Sequence, residues 1–167
     1  MLKKLGQKLK NERGLTLIEL LAVVVILGII AAIAIPSIGG LIDNSRKDAH
    51  VANAQQMISS AKIAVTSNDK IHPASGASTY VSLGYLEAQG YLETMDDPDG
   101  GKTDTDGYKR GTVAQTSFGE ITGNTSFVKI TNNGGKFTYD VQLYGAKRNI
   151  PLSAAEVNRA AVTNNTP

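Results

Sequence analysis

The chain has 167 residues, 19% of them charged, with 17 Gly, 5 Pro and no Cys; this length suits one compact domain, or one small domain with an appendage. The composition excludes collagen and low-complexity disorder, and the missing cysteines exclude disulfide frameworks, thiol nucleophiles and thiolate zinc sites together. Net charge is +2, but Lys3, Lys4, Lys8, Lys10 and Arg13 face only Glu12 within residues 1–14, so a basic leader precedes a mildly acidic remainder and no general nucleic-acid surface is implied.

Residues 15–35 are apolar except for Thr16, Glu19 and Gly28. As a helix this run spans roughly 31 Å at ~1.5 Å per residue, matching the ~30 Å hydrocarbon thickness of a bilayer. The basic flank keeps the N-terminus cytoplasmic and sends the remainder outward. A secretory signal peptide has a shorter apolar region and a small-residue cleavage site, whereas Ile35-Pro36-Ser37-Ile38 is a poor match. A plain membrane anchor leaves Glu19 unexplained, because a carboxylate in a spanning helix is expensive and marks function. On its N-terminal side Arg13 is more than a helical turn away. Cutting the chain after Gly14 would make the new α-amino group of Leu15 the nearest positive charge.

Arg13-Gly14-Leu15-Thr16-Leu17-Ile18-Glu19-Leu20-Leu21 resembles the processing signature of type IV prepilins and of the pseudopilins of type II secretion and competence. The resemblance implies leader removal after Gly14 by a prepilin peptidase, N-methylation of Leu15 by the same enzyme, and pairing of Glu19 with the terminal amine of a neighbouring subunit. It makes Pro36 the family's helix-kinking proline. Leu15 departs from the commoner Phe at the mature N-terminus. The fold it implies is α+β and type IV pilin-like: a long N-terminal membrane and filament-core helix whose outer half packs on a small antiparallel β-sheet head. The implied partners are a prepilin peptidase/methyltransferase, a membrane platform protein, an assembly ATPase, membrane lipid before assembly, and further copies of the chain in a helical homopolymer. Glu19 favours a major-type repeating subunit, and the absence of cysteine favours a Gram-positive source.

The domain organisation is then a leader (1–14), a transmembrane and filament-core helix (15–35), the outer half of that helix (36–66) and an extracytoplasmic head (67–167). Pro36 either ends the membrane helix or bends it. Val51, Ala54, Ile58, Ala61 and Val65 recur at spacings of three and four, which predicts continuation as one helix to about residue 65. His50 falls on its polar face, and the two histidines, His50 and His72, are read as unrelated. Residues 81–92 predict a short helix ended by Gly90, and Gly90-Tyr91-Leu92 is similar to the αβ loop of pilin heads.

Between residues 95 and 107, Asp96, Asp97, Asp99, Asp104 and Asp106 alternate with Pro98, Gly100, Gly101 and Gly107. Two readings stay open: a solvated, turn-rich loop, or a Ca²⁺ loop with Asp97, Asp99, Asp104 and Asp106 as ligands. The EF-hand pattern fails, since Lys102 stands at its first position and Val113 where its glutamate belongs. Further on, 126–131 and 137–144 predict a hairpin joined by Asn132-Asn133-Gly134-Gly135, with 108–115 as a third strand. Ser153-Ala154-Ala155-Glu156 predicts a helix toward Val162, followed by a frayed end at 164–167.

No phosphate loop, dinucleotide glycine pattern, zinc-protease helix or framed nucleophilic serine occurs in the sequence, and the residues point away from an enzyme. The reading is a structural subunit of a type IV pilus or pilus-like filament, single-pass in the cell membrane with its head outside and then on the cell surface. Its output is adhesion or motility, or DNA uptake in competence. The alternatives are a type II secretion pseudopilin and a non-filamentous, membrane-tethered binding module. For DNA, Lys109-Arg110, Lys129, Lys136 and Lys147-Arg148 are the candidate patch, with solvated faces as the plainer explanation.

Overall fold

The computed structural model describes residues 16–165. In chain order it contains α1 (Leu17–Ser67), β1 (Ser78–Ser82), α2 (Leu83–Ala88), β2 (Phe127–Asn133), β3 (Lys136–Tyr144), β4 (Arg148–Ile150), a 3-10 turn (Arg159–Ala161) and β5 (Thr163–Asn164). This is an α+β, pilin-like order: one long apolar helix, then a small antiparallel sheet. Two compact units divide the chain, Met1–Ile42 and Asp43–Pro167.

In the first unit, α1 is apolar on every side and exposed on every side: Leu17, Leu21, Leu27, Ile33, Ile35 and Leu41 all stand free. Its most apolar window has a mean hydropathy of 3.0 and is long enough to cross a membrane. A helix with no polar face is stable only when lipid or other helices surround it. Pro36 lies inside α1. Having no N–H, it leaves the Ala32 carbonyl without its helical partner, yet the helix continues on both sides, so Pro36 does not end it.

In the second unit, α1 acquires a buried seam: His50, Ala54, Met57, Ala61 and Ala64 succeed one another at spacings of four and three, with Ser60 and Val65 alongside. The sheet has the order β1-β2-β3-β4-β5, antiparallel throughout. Strand alternation puts Val81, Val128 and Val141 in one row, followed by Ile130 beside Tyr139. These residues join the α1 seam, Leu143 and Ile150 in the hydrophobic core. The hairpin stands as the sequence predicts, with Gly134 and Gly135 at φ of 65° and 94°, the left-handed conformations a two-residue turn needs. Gln115 and Phe118 cover the free edge of β1: the Gln115 amide donates to the Tyr80 carbonyl at 2.6 Å and accepts from the Ser82 N–H, while the Tyr80 N–H donates to the Phe118 carbonyl. An edge closed this way does not recruit a stray strand.

Four expectations need correction. Residues 108–115 form a loop, because Gly111 turns at φ 71° and Arg110 is drawn into the interior. The second helix is only Leu83–Ala88, because Val81 and Ser82 belong to β1. No α-helix follows Ser153; Asn158 caps the 3-10 turn instead, its side-chain oxygen accepting from the Ala160 and Ala161 N–H groups. The chain end is not frayed through Asn165, since β5 pairs with β4 and the Asn165 side-chain amide donates to the Gly145 carbonyl at 2.8 Å. Ser82 caps α2 by accepting from the Tyr85 N–H, and its hydroxyl donates to the Thr112 carbonyl. Ser82→Ala is therefore expected to destabilise the head by about 1–2 kcal/mol, read as a lowered thermal midpoint of the full chain in detergent.

Candidate functional site

The expected processing site, Gly14 and Leu15, lies outside the described residues. Immediately after it, the Thr16 N–H and hydroxyl both donate to one Glu19 carboxylate oxygen at 2.8 Å, and the Glu19 N–H donates back to the Thr16 hydroxyl at 3.3 Å. This is a reciprocal capping box at the N-terminus of α1. Glu19 thus serves its own helix as a cap. A search for a cation beside Glu19 misses this; the signal is the spacing Thr16-x-x-Glu19.

The second site is a buried network in the head. His50, placed on the α1 seam, is 1% exposed; its expected position on a polar face is corrected, because the loop and sheet cover that face. Its Nε2 lies 3.1 Å from Asp99 Oδ2 and 3.6 Å from Asp97 Oδ1, and its Nδ1 lies 2.8 Å from the Tyr108 hydroxyl. The Asn53 amide donates to that hydroxyl at 3.0 Å. The phenol proton is consequently directed at Nδ1, and the Nε2 proton at Asp99. Burial drives the Tyr108 pKa far above its ordinary value, keeping it a neutral donor. His72 has different surroundings, edge-on to Phe137 at 5.0 Å.

Arg46 Nη1 lies 3.2 Å from Asp99 Oδ1, and Arg148 Nη1 lies 3.2 Å from Asp99 Oδ2. Arg148 also reaches Asp43, whose other oxygen lies 2.9 Å from Lys47. Burial works to raise the Asp99 pKa, but the hydrogen bond from His50, the charge of Arg148 and the hydrogen bond from Arg46 outweigh it and hold the carboxyl below its ordinary value. Asp97 accepts from the Asp99 N–H at 2.9 Å on one oxygen and from the Ala146 N–H at 2.6 Å on the other. His50, Asp97 and Asp99 bring one ligand atom each within 4.8 Å of one another. Asp104 and Asp106 are engaged elsewhere: Asp104 accepts from the Arg110 N–H at 2.5 Å, and Asp106 from the Thr103 N–H at 3.0 Å and from the Thr103 hydroxyl.

Two members of the candidate basic patch are internal. Arg110 is 8% exposed; its Nε lies 2.8 Å from Glu87 Oε2, and its other nitrogens donate to the Met95 and Tyr108 carbonyls. Arg148 is committed to Asp43 and Asp99. Lys129 lies over the Tyr80 ring. A groove of ≈ 480 Å³ is formed by the 111–125 loop, and its lining holds hydroxyls and Glu120 without a histidine base.

The apolar helix and the sheet thus give a pilin-like fold with one helix long and apolar enough to cross a membrane. Residues 9–35 match the family model for the prokaryotic N-terminal methylation motif, so this segment is similar to the N-terminal segments of type IV prepilins and pseudopilins. No curated protein and no solved structure matches the chain significantly.

Proposed function

We propose that this chain is a structural subunit, not an enzyme, that a prepilin peptidase cleaves after Gly14 and N-methylates at Leu15, and that then assembles into a type IV pilus or pilus-like filament. The carrying observation is the methylation motif over residues 9–35, continuous with a helix whose apolar side chains are exposed on every side. Before assembly lipid covers that helix, with the basic leader cytoplasmic and the head outside. In the filament other copies replace the lipid. A platform protein and an assembly ATPase supply the extraction, and Glu19 meets a neighbour's amine. Glu19 favours a major-type repeating subunit. Surface adhesion or motility and DNA uptake are the leading outputs, and the same motif suits a type II secretion pseudopilin. With Arg110 and Arg148 engaged inside the head, Lys109, Lys129, Lys136 and Lys147 are the patch members left for a DNA backbone.

The test is intact-mass and N-terminal peptide analysis of native membranes and of the sheared surface fraction. The expected result is a chain beginning at N-methylated Leu15 in the sheared material. Chains beginning only at Met1 in native membranes overturn the proposal and leave a membrane-tethered binding module.

A further inference from the structure

We infer that the acidic loop over 95–107 is closed by the chain's own arginines in the role that a calcium ion would fill, so that the head holds its shape without a divalent cation. A hard cation needs six to eight oxygen ligands gathered on one centre. The four carboxylates of the calcium expectation do not offer them. Both Asp99 oxygens face cationic or N–H donors, Arg46 on one and Arg148 with His50 on the other. Both Asp97 oxygens accept backbone N–H groups, and Gly145 is what permits one of these contacts, because a Cβ there would lie 2.5 Å from Asp97 Oδ2. Asp104 accepts from the Arg110 N–H and Asp106 from the Thr103 N–H.

The strongest observation is Arg148. Its guanidinium, from β4, bridges Asp43 on α1 and Asp99 on the loop, while its Nε and Nη1 are buried without a hydrogen-bond partner of good geometry. A positive group with donors to spare already sits where the second carboxylate-binding charge belongs, and a divalent ion beside it meets repulsion. Arg148 thereby joins helix, loop and sheet. Filament assembly plays no part in this inference.

The test is thermal unfolding of the full chain in detergent, with millimolar calcium or with EGTA, beside isothermal titration with calcium. The expected result for the unaltered chain is one midpoint in both conditions and no binding heat; a midpoint that EGTA lowers and calcium restores overturns the inference. Arg148→Gln removes the charge and is expected to lower the midpoint and to make it rise with calcium, whereas Arg148→Lys keeps the charge and stays unresponsive. An Arg148→Gln chain that folds and ignores calcium shows that the guanidinium does not stand in for a cation, and overturns the inference. The EGTA comparison on the unaltered chain decides the matter even where the variant fails to fold.

Discussion

Glu19→Ala is expected to remove filaments from the sheared surface fraction while leaving membrane insertion and leader removal intact. Insertion improves when a carboxylate leaves an apolar helix, and the proposed cleavage after Gly14 falls N-terminal to the substituted residue. Helix initiation survives in part, because the backbone N–H at position 19 still has the Thr16 hydroxyl as its acceptor. What disappears is the only charge in the described apolar stretch able to meet a neighbour's terminal amine. An amine left unpaired among apolar helices is costly, and a loss of filament yield of roughly a hundredfold or more is expected. Glu19→Gln separates the two roles of this side chain. Its amide oxygen still accepts from the Thr16 N–H, so a capped but uncharged helix forms. Filaments from the glutamine variant would show that Glu19 acts as a cap alone. Their absence, with processed subunit accumulating in the membrane, places its importance in the charge. Quantitative immunoblotting of sheared and membrane fractions gives both answers.

The second large effect lies in the head. Arg110→Ala removes a guanidinium that neutralises Glu87 and satisfies the Met95 and Tyr108 carbonyls. Both side chains of the pair are about one-tenth exposed, so the glutamate left behind is a desolvated, uncompensated charge. Breaking such a pair destabilises a protein by about 3–5 kcal/mol, which for a chain of this size corresponds to a thermal midpoint lowered by roughly 6–20 °C. The double variant Arg110→Ala/Glu87→Ala is expected to lose less than the sum of the single losses, because it leaves no orphaned charge. Arg159→Ala supplies the contrast. Its pair with Asp48 is short, at 2.5 Å, but both side chains are about half exposed, so water replaces the partner and the midpoint is expected to stay nearly unchanged. Thermal scans of the four variants beside the parent separate these cases.

These charge partners mark where sequence reading stopped. Lys109-Arg110 and Lys147-Arg148 both look like solvated basic steps, yet Arg110 is buried and Arg148 half-buried in ion pairs. Nothing near Arg110 in the chain announces Glu87, 23 positions earlier, and Asp43 precedes Arg148 by 105 positions. His50 was misplaced for a related reason. The apolar stripe through Val51, Ala54, Ile58, Ala61 and Val65 is close to the true seam, but that seam is centred on His50, Ala54, Met57, Ala61 and Ala64. A histidine at the rim of an apolar stripe reads as polar surface until Asp99 and Tyr108, 49 and 58 positions away, cover it. The helix expected after Ser153 failed because β5 returns to pair with β4, with Arg148 opposite Asn164. That pairing holds residues 153–158 as a connection, from which Ala154 and Val157 pack against the core without forming a helix.

By itself the sequence determined the apolar helix, its continuation past Pro36, the hairpin over β2 and β3, and the methylation motif. Each of these is a local signal: an uninterrupted apolar run, a spacing of three and four, an alternation about a glycine turn, a short string of residues that an enzyme reads without the fold. Only the tertiary structure decided that His50, Arg110 and Arg148 are interior, that Asp97 and Asp99 share a cluster while Asp104 and Asp106 hold their own loop, and that the sheet has five strands. Those outcomes depend on which distant donors and acceptors meet once water is expelled. Desolvation makes such pairings strong, and residue spacing carries no record of them.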